Sequence, residues 1–115
     1  MTLTPWIELL TEIRDLLGGG GGVAIVATRT TVAAATADTL LVAADNARRF
    51  ASIYNDSTAT LYLGLGTTAA SFSNFSVRVP PETLYEVPIA VSGVALRGIW
   101  DAVNGSAIVT VGVPE

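Results

Sequence analysis

The sequence predicts a mainly β protein: an antiparallel β-sandwich, jelly-roll-like, preceded by one short N-terminal amphipathic helix on a glycine linker. Three observations carry that expectation. From residue 23 onward, Val, Thr, Ala, Ile and Leu alternate in short runs separated by turn residues. The first 17 residues instead repeat apolar positions at helical spacing. Five consecutive glycines, Gly18 to Gly22, separate the two textures. The expected organisation is therefore a helix over 1–17, a linker over 18–22 and a β-domain over 23–115.

In the N-terminal segment, Thr4 suits an N-cap and Pro5 the first helical position, where its missing N–H costs nothing. Glu8 lies near the positive end of the dipole, and Gly18 supplies a stop. Trp6, Leu9, Leu10, Ile13, Leu16 and Leu17 form one apolar stripe, with Glu8, Thr11, Glu12 and Asp15 opposite. A helix of about 13 residues is marginal alone in water, so the stripe must pack on something. Docking on its own β-domain is one option. Self-association or docking on another protein is the reading preferred, because a polyglycine tether suits a helix that answers to a different partner.

Within the β-domain, candidate strands are 24–28, 31–36, 39–43, 49–54, 58–65, 75–79, 83–87, 94–100 and 107–113. Alternation is clearest where Ala59, Leu61, Leu63 and Leu65 share a face, and again for Ala107, Val109, Val111 and Val113. Phe75, Val77 and Val79 repeat it, with Ser76 and Arg78 outward. Asn104-Gly105 predicts a tight type I′ hairpin joining the last two strands. Pro80-Pro81-Glu82 must break the chain, since proline donates nothing to a ladder. Asp45-Asn46-Ala47 reads as a turn, and Asn55 to Ser57 as the tip of a hairpin between Ile53-Tyr54 and Thr60-Leu61.

Composition bounds the chemistry. There is no cysteine and no histidine, and all six positive charges are Arg. Thiolate metal sites, histidine bases and a P-loop lysine are therefore excluded. "LGLGTT", Leu63 to Thr68, has no helix after its glycines, so it is not a phosphate loop. A net charge of -4 argues against nucleic acid. No apolar run approaches the roughly 20 residues of a membrane span, and the N-terminus lacks the basic start of a secretory signal. No cofactor is expected, and no enzyme: the acids Asp38, Asp45, Asp56, Glu82, Glu86, Asp101 and Glu115 fall mostly at turns and strand ends. Asp45 beside Arg48 and Arg49 suggests a local ion pair or an interface contact, and Arg97 is expected at an edge or paired with Glu86 or Asp101. Trp100 is expected to cap the core, with a carbohydrate platform as the alternative. The Asn-x-Ser triplets at Asn55, Asn74 and Asn104 read as chance occurrences without a secretory signal. Charged residues make up only 14% of the chain, a poverty that points to surfaces used in assembly.

Three stretches, "AADNARRFASIYNDSTATLYLGLG", "FSVRVPPETLYEVP" and "GIWDAVNGSAIVTV", resemble a small β-domain of accessory virion proteins of tailed bacteriophages: capsid decoration, head-fibre or minor structural proteins. The resemblance runs from about Ala43 to Val113 and rests on scaffold motifs, so it carries over no functional residues. It implies a virion location, with the chain made in the host cytoplasm. It also implies a homo-oligomer, a trimer being favoured, bound to the major capsid protein or another virion protein. A tail-associated or host-surface module binding carbohydrate or a receptor is the alternative, with Phe72, Phe75, Tyr85 or Trp100 as its aromatics.

Overall fold

The computed structural model describes residues 24–115. The expected helix, its stripe and the glycine linker lie outside the described residues. Eight strands are present: β1 (Ile25–Ala33), β2 (Thr39–Val42), β3 (Phe50–Asp56), β4 (Leu61–Leu65), β5 (Val77–Val79), β6 (Leu84–Glu86), β7 (Leu96–Trp100) and β8 (Ser106–Pro114). A short 3₁₀ turn, Ile89–Val91, precedes β7. The strands form two four-stranded antiparallel sheets, β1-β8-β3-β6 and β2-β7-β4-β5, as a β-sandwich requires.

The pairing is nested. β1 pairs with β8, β2 with β7, β3 with β6 and β4 with β5. One long antiparallel ribbon is thus rolled up, and every link from β1 to β8 except β4–β5 crosses between the sheets. That geometry overturns two turn expectations. Asn104-Gly105 does not close a hairpin, because β7 and β8 belong to different sheets. Gly105 has a φ of 76°, but Asn104 is not left-handed, so the type I′ pattern is absent. Asn55 to Ser57 likewise lead from β3 in one sheet to β4 in the other. A turn motif reports local backbone bias, and it carries no information on which strand lies across the gap.

The core forms where the inward residues of both sheets meet. From β3 come Ala51 and Ile53, from β8 Ala107 and Val109, from β4 Leu61 and Leu63, and from β7 Leu96 and Trp100, all buried. Val79, Val87 and Leu41 complete it. The two predicted alternating faces on β4 and β8 are those that point inward. On β7 the inward residue between Leu96 and Trp100 is Gly98. A Cβ there would stand 2.7 Å from Leu61 Cδ1, so glycine leaves the room that Leu61 and Leu41 fill. The Pro80-Pro81-Glu82 break carries the chain between sheets, with Glu82 in the left-handed region at φ 53°.

Two predicted strands, 24–28 and 31–36, are one continuous strand, β1, since Arg29 and Thr30 interrupt the apolar run without bending the backbone. β1 pairs with β8 over all nine of its residues. Eight of those nine are exposed. β2, the edge of the second sheet, lies over β8, and of β1 only Val32, near its C-terminal end, packs against the core.

Candidate functional site

Asn55 ties the scaffold together. It continues the inward series Ala51, Ile53, Asn55 on β3 and is fully buried. Its Nδ2 donates to the carbonyls of Ala59 at 2.8 Å and Val79 at 2.9 Å, with Pro80 at 3.2 Å. Its Oδ1 accepts from Trp100 Nε1 at 3.2 Å and from Ser57 Oγ at 2.8 Å. Its backbone N–H donates to Thr83, and its carbonyl accepts from Glu82. Low dielectric makes a complete network of this kind strong, and a broken one costly. The sequence predicts Asn55 at a hairpin tip. Continuing the period of two by one more residue would have placed it inside. A glycan at Asn55 is excluded by its burial.

Arg48 is buried as well. Its Nη1 donates to the carbonyls of Ser92 at 2.9 Å and Val94 at 3.0 Å, and its Nη2 to that of Ala43. Ser92 Oγ returns a bond to the Arg48 carbonyl at 3.1 Å. Asp45 instead accepts from its neighbour Ala47 N–H at 2.9 Å. The expected Asp45–Arg ion pair therefore does not form, because the turn spends the carboxylate on its own backbone. An open depression of about 560 Å³ lies alongside, lined by Arg48, Arg49, Asn46, Gly66, Thr67 and Ile89. Arg48 acts there as a pin between the β2–β3 loop and the turn before β7. Its hydrogen bonds end on backbone, and Arg49 caps the carbonyls of Asn46 and Ala47.

Arg97 lies on the outer face of β7, a strand interior to its sheet, and pairs with Asp38. Its Nε and Nη2 stand 2.9 and 2.5 Å from Asp38 Oδ2, and Ala70 N–H donates to Oδ1 at 2.8 Å. Neither Glu86 nor Asp101 is the partner: Glu86 belongs to the other sheet, and Asp101 accepts from Thr60 N–H. The Arg97 guanidinium holds the Asp38 carboxyl below the ordinary carboxylate range, opposed by burial and helped by the Ala70 amide. A depressed folded pKa gives stability that is present above the unfolded value and is lost as pH falls through the folded one. Asp38→Asn is therefore expected to lower Tm at neutral pH. The gap from the parent should close as the solution is acidified below the ordinary carboxylate pKa. Thermal melts of both proteins over pH 2 to 7, on the order of the carboxylate range, check this; a gap independent of pH would refute it.

The outer face of the second sheet also carries aromatics. Tyr62 meets Phe72 and Phe75 edge-on, at centroid distances of 5.1 and 5.0 Å. Arg78 lies 5.6 Å from the Phe75 ring and 5.9 Å from Tyr62. Phe72 is 50% exposed. Trp100, by contrast, is fully buried, so it is core and not a sugar platform. Tyr85 packs against the core from the first sheet. The four aromatics singled out in the sequence are thus not one surface.

Gly64, on the face of Tyr62, is approached by Ala70: a Cβ at Gly64 would stand 3.5 Å from Ala70 Cβ and 3.9 Å from its Cα, ordinary contact. Among the described residues no three His, Cys, Asp or Glu side chains cluster as metal ligands, and no helix is long and apolar enough to cross a membrane. No family model, curated protein or solved structure matches this chain. The candidate surfaces are the β1 edge, the aromatic cluster and, outside the described residues, the stripe Trp6, Leu9, Leu10, Ile13, Leu16 and Leu17.

Proposed function

We propose that this chain is a bacteriophage virion structural protein, a capsid decoration or head-fibre module that oligomerises, as a trimer, and binds the capsid surface. The β-sandwich is read as a jelly roll, an arrangement of eight strands used by viral capsid and lectin domains among others. The single observation that carries the reading is the joining of the three phage-like stretches into one unit. Asn55, in the first, binds the carbonyls of Val79 and Pro80 in the second and accepts from Trp100 in the third. The nested strand pairing supports the jelly roll. Fold alone hosts many functions, so the virion assignment leans on the motif resemblance and on a surface poor in charge.

In this reading residues 1–17 form the amphipathic helix whose stripe joins the copies or docks on the capsid, while Gly18 to Gly22 let it obey a symmetry different from that of the β-domain. The double substitution Leu9→Asp with Ile13→Asp is expected to abolish trimer formation or capsid docking and to leave the melting point of the β-domain unchanged. Mass photometry of the protein alone, then with empty capsids, reads the result. A parent protein that is strictly monomeric and ignores both heads and tails would overturn the proposal.

A host-surface carbohydrate-binding module is the second reading, favoured by the exposed Phe72 above Tyr62 and Phe75. Glycan-array binding lost in Phe72→Ala would carry it, and a blank array for the parent would end it.

A further inference from the structure

β1 is a long sheet edge with none of the usual defences. Its nine residues, "IVATRTTVA", contain no Pro, no Lys and one charge, Arg29. Its register with β8 is unbroken from Ile25↔Pro114 to Ala33↔Ser106, so no bulge twists the edge away. Among the described residues nothing pairs with its outer side.

The hydrogen-bond parity of that edge is fixed by its two ends. Ala34 N–H donates to Gly105 at 3.1 Å, and Ala24 accepts from Glu115 N–H at 2.8 Å. In the same register, the even-numbered residues of β1 bond to β8. The odd-numbered ones, Ile25, Ala27, Arg29, Thr31 and Ala33, turn their N–H and C=O groups outward. Pro114, which has no N–H to give, stands opposite one of these, Ile25.

We infer that β1 pairs antiparallel with β1 of a second copy of this chain, joining the two β1-β8-β3-β6 sheets across a twofold axis. Length selects the partner. The other three edges, β2, β5 and β6, are four, three and three residues long, too short to satisfy a nine-residue edge. Only β1 matches β1, and a self-matched edge closes as a dimer instead of running on as a fibre. Parity then requires outward residues to face outward residues. Placing the axis at Arg29 would set two guanidinium groups directly opposite, an unfavourable pair. Of the remaining axes, Thr28 and Thr30 keep most of the strand paired, and their exposed side chains lie on the inner face, opposite Val111 and Val109 of β8. The inference stands apart from the Trp6–Leu17 stripe, which belongs to another part of the sequence.

The chain has no cysteine, so a single introduced thiol is the sole one. Thr28→Cys and Thr30→Cys, each in the full chain, are oxidised and run on a non-reducing gel. One of them is expected to give a disulfide-linked dimer, because residues on the axis face themselves within bonding distance. Thr110→Cys, one strand further in on β8, is expected to stay uncrosslinked. Adding Thr31→Pro removes an outward N–H without touching the β8 ladder, and should abolish the crosslink with the far-UV spectrum unchanged. The crosslink should survive in the Leu9→Asp, Ile13→Asp background, which separates this edge from the stripe. Failure of both cysteines to crosslink would overturn the inference, as would a crosslink indifferent to Thr31→Pro. Those are the results expected if an extended strand of another protein, or residues 1–23 of this chain, covers β1 instead.

Discussion

Asn55→Ala is expected to destabilise the β-domain by roughly 3–5 kcal/mol, although it removes only one small polar side chain. The substitution strips the buried carbonyls of Ala59 and Val79 of their Nδ2 donor and leaves Trp100 Nε1 without its acceptor. Each buried polar group left unpaired costs about 1–3 kcal/mol. Ala59 keeps the Ser57 Oγ donor at 3.0 Å, so the loss falls on the Val79 carbonyl and Trp100 Nε1, and these two with the small cavity left behind give the stated range. Even the lower bound corresponds to roughly 12–24 °C in Tm for a domain of this size. Urea denaturation followed by tryptophan fluorescence measures it, and a loss under about 1 kcal/mol would show that the network contributes little. Asn55→Asp is a sharper version: it keeps the shape, removes both N–H donors and buries a carboxylate, so it should be at least as damaging.

Trp100→Ala is expected to cost a similar amount, about 3–5 kcal/mol, for a different reason. The indole is fully buried where Leu61 pairs with it across the β4–β7 ladder, and truncation leaves a cavity that the surrounding strands cannot close. Trp100→Phe separates the two contributions, since it keeps most of the volume and loses the N–H bond to Asn55. It should cost about 1–2 kcal/mol. Because Trp100 and Asn55 share that bond, the double variant Asn55→Ala, Trp100→Ala should be less damaging than the sum of the single ones. Additivity within about 0.5 kcal/mol would mean the bond transmits no coupling. A loss below about 0.5 kcal/mol for Trp100→Ala alone would contradict its place in the core.

Both residues show how far the sequence could be read. Trp100 was legible as core because it ends an apolar strand. Asn55 was not, because a polar residue followed by Asp and Ser has the composition of a turn. Its role depends on the carbonyls of Val79 and Pro80, more than twenty positions away. Arg97 was legible as a residue needing a partner, but Asp38 became that partner only when β2 was laid beside β7. Arg48 resisted reading for the same reason: its acceptors are carbonyls of a distant turn, and every residue has a carbonyl.

What the sequence by itself determined is the β class, the extent of most strands and the inward faces of β4 and β8. These follow from periodicity and from the places where proline, glycine and asparagine interrupt it, all of which are local. Phe75, expected on the face of Val77 and Val79, packs on the outer face beside Tyr62 and Arg78. The tertiary structure alone decided the pairing of β1 with β8 and of β4 with β5, the use of Asn104-Gly105 as a crossing between sheets, and the exposure of β1. Strand pairing is set by which inward faces fill a common core, and that is a property of residues far apart in the chain. The edge of β1 is the clearest case. Its sequence alternates no differently from that of a covered strand, and eight of its nine residues are exposed because, among the described residues, no strand lies beyond it.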